Sequence, residues 1–423
     1  MKKIFSVLVM FILLMGLIIG CSSQESGSTE KNGIVTIKMA VSGSEQEKKL
    51  RYETADLFMK ENPTIKIEWV DIGDERRQKT LTLISGGKAP DILYINEWTL
   101  PLAERNVLMP LDDTIAKDTS FDISEFYPDV LDAYRLNGKL YGLPQEVSPL
   151  VMYYNKNLFD QAGVPYPTDD WTQEDFVQIA KKLTDSKKKK YGYLSENWYG
   201  HYMGWLNRNG GKLFSDDGKK SGFDTPEALK ALELMNKIVV EDHSSPNPAE
   251  QEAAGQGSDA QFRNQQVAMI SSGMWLLPAF KSEPLNFDWD VVKMPKGETQ
   301  ATTAGVLSWS ISKDTKHPEE AWKVLKFFVG HEGMKIVAKY NMALPASNVA
   351  EANQMILDSK FPANVKAFVD SAALVNLDNF KHPKTSELDE KITTEIEKML
   401  LHKQSPADAQ KKIVEQMNSI MGQ

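Results

Sequence analysis

Residues 138–164 read GKLYGLPQEVSPLVMYYNKNLFDQAGV, and the segment changes character twice. Gly138 to Pro144 has the turn residues and short length of a crossover between two lobes. Gln145, Glu146 and Ser148 then place polar groups where apolar core would otherwise continue. Leu150 to Tyr154 is an apolar, aromatic strand, and Asn155-Lys156 opens a helix that Gly163 closes. A backbone that turns beside polar side chains suits the hinge of a two-lobed binding protein, with its ligand at the hinge.

Upstream, Val35, Ile37, Met39 and Val41 alternate as a strand. A helix with Leu50, Ala55, Leu57 and Phe58 on one side runs to Asn62-Pro63, and Ile65, Ile67 and Trp69 give a second strand. A helical stretch through Leu81 and Ile84 leads to Ile92–Ile95, a continuous apolar run suited to a buried parallel strand. Strand, helix, strand, helix, strand is the α/β pattern. Ligands of such sheets sit beyond the carboxyl ends of strands, where Ser44, Glu45, Asn96, Glu97 and Trp98 fall.

Downstream, Thr172 and Asp175 form a capping box, and Phe176, Ile179, Ala180 and Leu183 make a buried stripe. Six aromatics lie between Tyr191 and Trp205. Thr225-Pro226 opens another helix, and 244–258 lacks periodicity and reads as a loop. Val267–Ile270, Phe287–Val291 and Val306–Ile311 read as strands. Two helices end the chain, the first in register through Leu388, Ile392, Ile396 and Met399, the second capped by Ser405.

At 423 residues the chain is long enough for two cores. A formal charge of −9 and the lack of a basic stripe with interleaved aromatics exclude a nucleic-acid partner. There is no GxSxG elbow, no Walker phosphate loop and no second histidine four positions after His331. No catalytic or metal constellation emerges, and no cofactor is called for. A pair of carboxylates across a cleft would still suit a secreted glycan-active hydrolase.

The chemistry in excess is aromatic rings near amides and carboxylates at loop tips. A sugar ring meets flat aromatic rings on its C–H face and carboxylates or amides on its hydroxyl rim. Core packing accounts for Trp69, Trp289 and Trp322; Trp98, Trp198, Tyr199, Trp275 and Trp309 follow or interrupt strands beside Gly and polar residues.

Lys2-Lys3, the apolar run Ile4–Gly20 and the lone Cys21 resemble a bacterial lipoprotein signal, in which the cysteine is lipidated. Residues 22–33 read as a flexible Ser/Gly tether.

Seven pieces in order carry a wider resemblance: Pro90-Asp91-Ile92, Asn137–Pro144, Tyr154–Phe159 with Ala162-Gly163-Val164, Trp171-Thr172, Phe262–Trp275, Gly305 before Ile311-Ser312-Lys313, and Glu320–Phe328. They resemble the extracellular solute-binding proteins of family 1, carbohydrate-binding subunits of bacterial ABC importers. The resemblance implies an α/β, two-lobed periplasmic-binding-protein-like (type II) fold with hinge crossovers. Its N-terminal lobe would hold 34–143 and about 288–337, and its C-terminal lobe 144–287 and about 338–423, after a signal peptide at 1–20 and a lipidated tether at 21–33. Ligand contacts would come from Ser44, Glu45, Asn96, Glu97, Trp98, Gln145, Glu146, Ser148, Trp198, Tyr199, Trp275, Gly305 and Trp309. The expected molecule is a monomeric lipoprotein on the extracytoplasmic face of the cell membrane, held by lipid on Cys21. It would close on a mono- or oligosaccharide and deliver it to an ABC permease, without catalysis. The alternatives are the glycan-active hydrolase and a lipoprotein binding peptide, polyamine or glycerophosphodiester. Relatives that bind maltodextrin carry an acid–base pair where Ser44-Glu45 stand, and Glu where Ser148 stands, which leaves the sugar open.

Overall fold

The computed structural model describes residues 33–422 except Asp74. The export signal, Cys21 and nearly all of the tether lie outside the described residues. Strand β1 (Val35–Val41), helix α1 (Glu45–Glu61), β2 (Ile65–Asp71), α2 (Arg76–Ser85) and β3 (Ile92–Ile95) build the parallel start of the first lobe. β1 pairs with β2 from Val35–Ile65 to Val41–Asp71 and with β3 at Met39–Ile92. β3 is buried throughout, as its unbroken apolar run requires.

The chain next makes a small hairpin, Arg135–Leu136 against Lys139–Leu140, turning through Asn137 and Gly138 at φ 50° and 79°. It then enters β4 (Leu143–Pro149), still in the first sheet, and crosses at Leu150 into β5 (Val151–Asn155). The crossover therefore lies at Leu150 and not at Gly138–Pro144: the turn residues there close a hairpin. In the second lobe come α3 (Gln173–Lys182), α4 (Tyr199–Arg208), α5 (Pro226–Asn236), β6 (Met269–Ser272) and β7 (Trp289–Val292). The chain returns through β8 (Ala304–Ile311), α6 (Pro318–Val329), α7 (His331–Tyr340) and β9 (Leu344–Pro345). It ends in the second lobe with α8 (Thr385–Leu400) and α9 (Pro406–Met421).

The first sheet has the order β9-β4-β8-β3-β1-β2 and the second β6-β5-β7. Two expected lobe boundaries move accordingly. β7, at 289–292, pairs with β5 of the second lobe, so the return begins near 304 and not at 288. β9, at 344–345, pairs with β4, so the first lobe continues beyond 337.

Three chain segments lie side by side where the lobes meet. Leu150 N donates to Thr303 O at 2.9 Å, Thr302 Oγ1 donates to Leu150 O at 2.7 Å, and Thr302 N donates to Leu374 O at 2.9 Å. Backbone hydrogen bonds across the crossovers satisfy groups that an isolated linker would leave to water.

Local signals explain the helix starts. Asp175 N donates to Thr172 Oγ1 at 3.1 Å while Thr172 N donates to Asp175 Oδ2 at 2.9 Å, the reciprocal box that opens α3. Ala228 N donates to Thr225 Oγ1, with Pro226 first in α5. The loop expected over 244–258 contains a helix, Pro248–Ala254, opened by an Asn247–Glu250 capping box. Leu388, Ile392, Ile396 and Met399 of α8 pack with Ile413 and Met417 of α9 and Leu232 and Met235 of α5. Each such burial stabilises by roughly 1.5–3 kcal/mol before ordering costs. Of the tryptophans assigned to packing, Trp322 is buried, while Trp69 and Trp289 are half-buried against the core.

A candidate ligand cleft between the lobes

The carboxyl end of β3, the hinge strand β4 and the first turns of α1 and α2 open onto one cavity of about 270 Å³. Its first-lobe wall carries the polar groups, beside the apolar Tyr94, Val306, Leu307, Met342 and Ala343. Asn96 follows β3, Glu146 and Ser148 lie on β4, and Glu47 and Arg76 come from the first turns of α1 and α2. The second-lobe wall is aromatic: Trp198 and Tyr199 at the start of α4, and Trp275 after β6. Trp198 and Tyr199 meet edge to face at 4.8 Å. Behind Trp198 sits His201, buried and lowered to about 3 by burial and then by Arg208, so its ring is neutral.

Trp275 lies against glycine. A Cβ on Gly305 would come within 2.8 Å of its ring, and one on Gly273 within 2.0 Å. Both positions must lack side chains for the indole to lie where it does. Ser148 is fixed by accepting a hydrogen bond from Met274 N at 2.7 Å, which ties the hinge strand to the turn carrying Trp275.

Glu146 is ion-paired with Arg51 of α1 at 2.7 Å, and Arg51 is fully buried. Burial lifts the Glu146 carboxyl while Arg51 opposes the lift. Tyr94 carries Arg76 over its ring at 5.8 Å and Arg51 at 6.0 Å.

Tyr199 also lines a second cavity, of about 130 Å³. Glu97 and Trp98 line it from the first lobe, Tyr202 and Asp389 from the second. Tyr202 Oη donates to Asp389 Oδ1 at 2.8 Å, whereas Glu97 Oε2 is buried with no hydrogen-bond partner. Trp98 also borders an open groove along α2 with Arg76 and Arg77.

Nine of the thirteen residues expected at the ligand thus border these two cavities: Asn96, Glu97, Trp98, Glu146, Ser148, Trp198, Tyr199, Trp275 and Gly305. Four do not. Ser44 is exposed and caps α1, accepting from Glu47 N at 3.3 Å while its own N–H donates to Glu47 Oε2 at 2.7 Å. Glu45 is exposed to solvent in the first turn. The cap orients Glu47, and it is Glu47 that reaches the cavity. Gln145 and Trp309 are fully buried and pair with each other, Trp309 Nε1 donating to Gln145 Oε1 at 2.8 Å. Gln145 Nε2 donates in turn to Phe328 O at 2.9 Å, so this amide pins the hinge strand to β8 and α6 and cannot face a ligand. Glu47, Arg76, Arg77, Tyr202 and Asp389 were not anticipated. For Glu47 the signal was present, as the third helical residue of a Ser-x-x-Glu box.

Residues 42–335 match the family model described as bacterial extracellular solute-binding protein. The chain belongs to that family. Among solved structures, this solute-binding protein is similar to the ABC substrate-binding protein Lmo0181 from Listeria monocytogenes in complex with cycloalternan. The likeness has a TM-score of 0.83 and 32% identity over 92% of this chain and 99% of that one. The maltodextrin-binding protein MdxE of Bacillus subtilis is 26% identical over 358 residues, 83% of this chain and 82% of its own. A maltooligosaccharide ABC transporter solute-binding lipoprotein of Streptococcus pneumoniae strain R6 is 26% identical over 57% of each chain. The two-lobed α/β fold of this solute-binding protein is the one these structures share.

Proposed function

We propose that this solute-binding protein captures a carbohydrate in the cleft between its lobes and presents it to an ABC permease. One observation carries the reading: an aromatic wall of Trp198, Tyr199 and Trp275 on one lobe faces a hydrogen-bonding wall of Glu47, Asn96, Glu146 and Ser148 on the other. Rings take the C–H faces of a pyranose, and carboxylates and amide take its hydroxyls. The groups border a cavity at the junction of the crossovers, where rotation of the lobes about Leu150 would open or shut it. The cycloalternan complex of Lmo0181 and the names of the maltodextrin and maltooligosaccharide relatives support a glucan as the first class to test.

Binding without catalysis fits relatives that are named as binding proteins. The lipoprotein relative also supports acylation at Cys21 and a place on the outer face of the cell membrane. The deciding experiment is a thermal-shift screen of the mature chain against cycloalternan, linear maltodextrins, galacto-oligosaccharides and monosaccharides, with peptides, polyamines and glycerophosphodiesters in the same panel. A ligand bound only by the folded state raises Tm with concentration. A rise with one of these sugars supports the reading, and a rise only with peptides, polyamines or glycerophosphodiesters replaces it.

A further inference from the structure

The 130 Å³ cavity joins two carboxylates from opposite lobes. Glu97 stands on the loop after β3 of the first lobe, and Asp389 in the second turn of α8 of the second. Their company is largely neutral: Tyr199 and Tyr202 of α4, Trp98, Leu213 and Leu388. Asp389 is bound by one phenol, Tyr202, and Glu97 Oε2 by nothing.

We propose that closing the lobes is coupled to proton uptake by the Glu97–Asp389 pair, so that acidification favours the closed form. Open, each carboxylate stands in water on its own lobe. Closed, both enter one small cavity from which water is largely displaced, and each adds to the cost of ionising the other. Protonating either acid removes its own burial penalty and its repulsion of the other, and turns an acceptor-only group into one that can also donate.

The groups facing the pair decide whether the effect survives. Arg77 of α2 lines the cavity, and Arg76 and Arg77 both favour the ionised form of Glu97. Thr385 and Ser386 bring the amino end of α8 to the same cavity, which also favours a carboxylate. Against these, burial is the largest influence on both acids and raises both, with Asp389 raising Glu97 further; a hydrogen bond from its own backbone N–H lowers Glu97, and the Tyr202 hydrogen bond lowers Asp389, and neither cancels the rise. Tyr134, Tyr199 and Tyr202 are neutral, each phenol raised by burial. The balance points upward. A carboxyl whose pKa is higher closed than open binds more protons closed, so the closed-to-open ratio rises as pH falls between the two values and levels off below the lower one. Each unit of difference multiplies that ratio by about ten across that window.

The inference rests on the reading of the cleft as one that closes, but not on the identity of any sugar. It is therefore tested without ligand, by small-angle X-ray scattering of the mature chain between pH 7.5 and pH 4.5, with circular dichroism confirming that the fold is intact. The expected result is a radius of gyration that falls with pH in the wild type. In Glu97→Gln and in Asp389→Asn, which keep shape but remove one charge, the compact form should already be present at pH 7.5. A wild-type radius that does not change, or a contraction that persists unaltered in the double variant, overturns the proposal. A sugar that binds equally well in either case leaves the functional reading standing on its own.

Discussion

Arg51 Nη1 lies 2.7 Å from Glu146 Oε1, a buried ion pair that joins α1 to the hinge strand at the cleft wall. Removing one partner strands the other charge away from water, a loss of about 3–5 kcal/mol. Arg51→Met should lower the midpoint of urea unfolding accordingly. The double variant Arg51→Met/Glu146→Leu should recover most of the loss, because no charge is then left buried. An Arg51→Met midpoint equal to wild type would mean that Glu146 is neutral and the pair contributes little.

Trp275 depends on Gly305 for its position. Trp275→Ala should weaken binding of the sugar found by the screen by about 1–3 kcal/mol, roughly five- to 150-fold, with Tm little changed. Gly305→Ala should weaken it too, since a Cβ there displaces the indole. Isothermal titration measures both. Unchanged affinity in both variants removes Trp275 from the site.

Asp118 collects Trp322 Nε1 at 2.8 Å, Lys326 Nζ at 2.7 Å and Ser120 Oγ at 2.6 Å. The Lys326 hydrogen bond, then that of Ser120, holds its carboxyl well below the usual carboxylate range. A depressed acid contributes stability above its unfolded pKa, near 4, and loses it as pH falls further. Asp118→Asn should cost about 1–2 kcal/mol at pH 7 and progressively less as pH falls below 4, so that the loss at pH 2 is smaller. Unfolding curves at the two pH values check this, and an equal loss at both would point to packing as the cause.

Cys21→Ser should release the protein from membranes of the producing cell and abolish acyl labelling. Persistent labelling would place the lipid elsewhere.

Local order was legible in the chain because it depends on neighbours in sequence. The Thr172–Asp175 box, Pro226 after Thr225 and the α8 stripe are each decided within one or two turns. The hinge was located only to the right segment. Asn137-Gly138 announced a turn, and turn chemistry reports local backbone conformation, not which sheet the next strand joins. Trp309 misled for a related reason. It stands between Ser308 and Ser310, yet β8 is interior to the first sheet and both serines are buried, Ser308 Oγ donating to Ile95 O at 2.5 Å. A Ser-Trp-Ser run looks like surface unless both faces of its strand are known to be covered. Asp389 lacked any local signal: what makes it noteworthy is Glu97, brought opposite by the approach of two lobes.

Gln145 fastens β4 to Phe328 and Trp309 only five residues before the crossover at Leu150, so the polar wall moves as part of the first lobe. The aromatic wall belongs to the other body. On the proposed reading of the cleft, encounter and retention would fall to different halves of the protein. A solute would then be recruited by hydrogen bonds to the half that carries Glu47, Asn96 and Glu146, and its departure would wait for Trp198, Tyr199 and Trp275 to swing away. Changes in the first set should register in the association rate, and changes in the second in the lifetime of the complex.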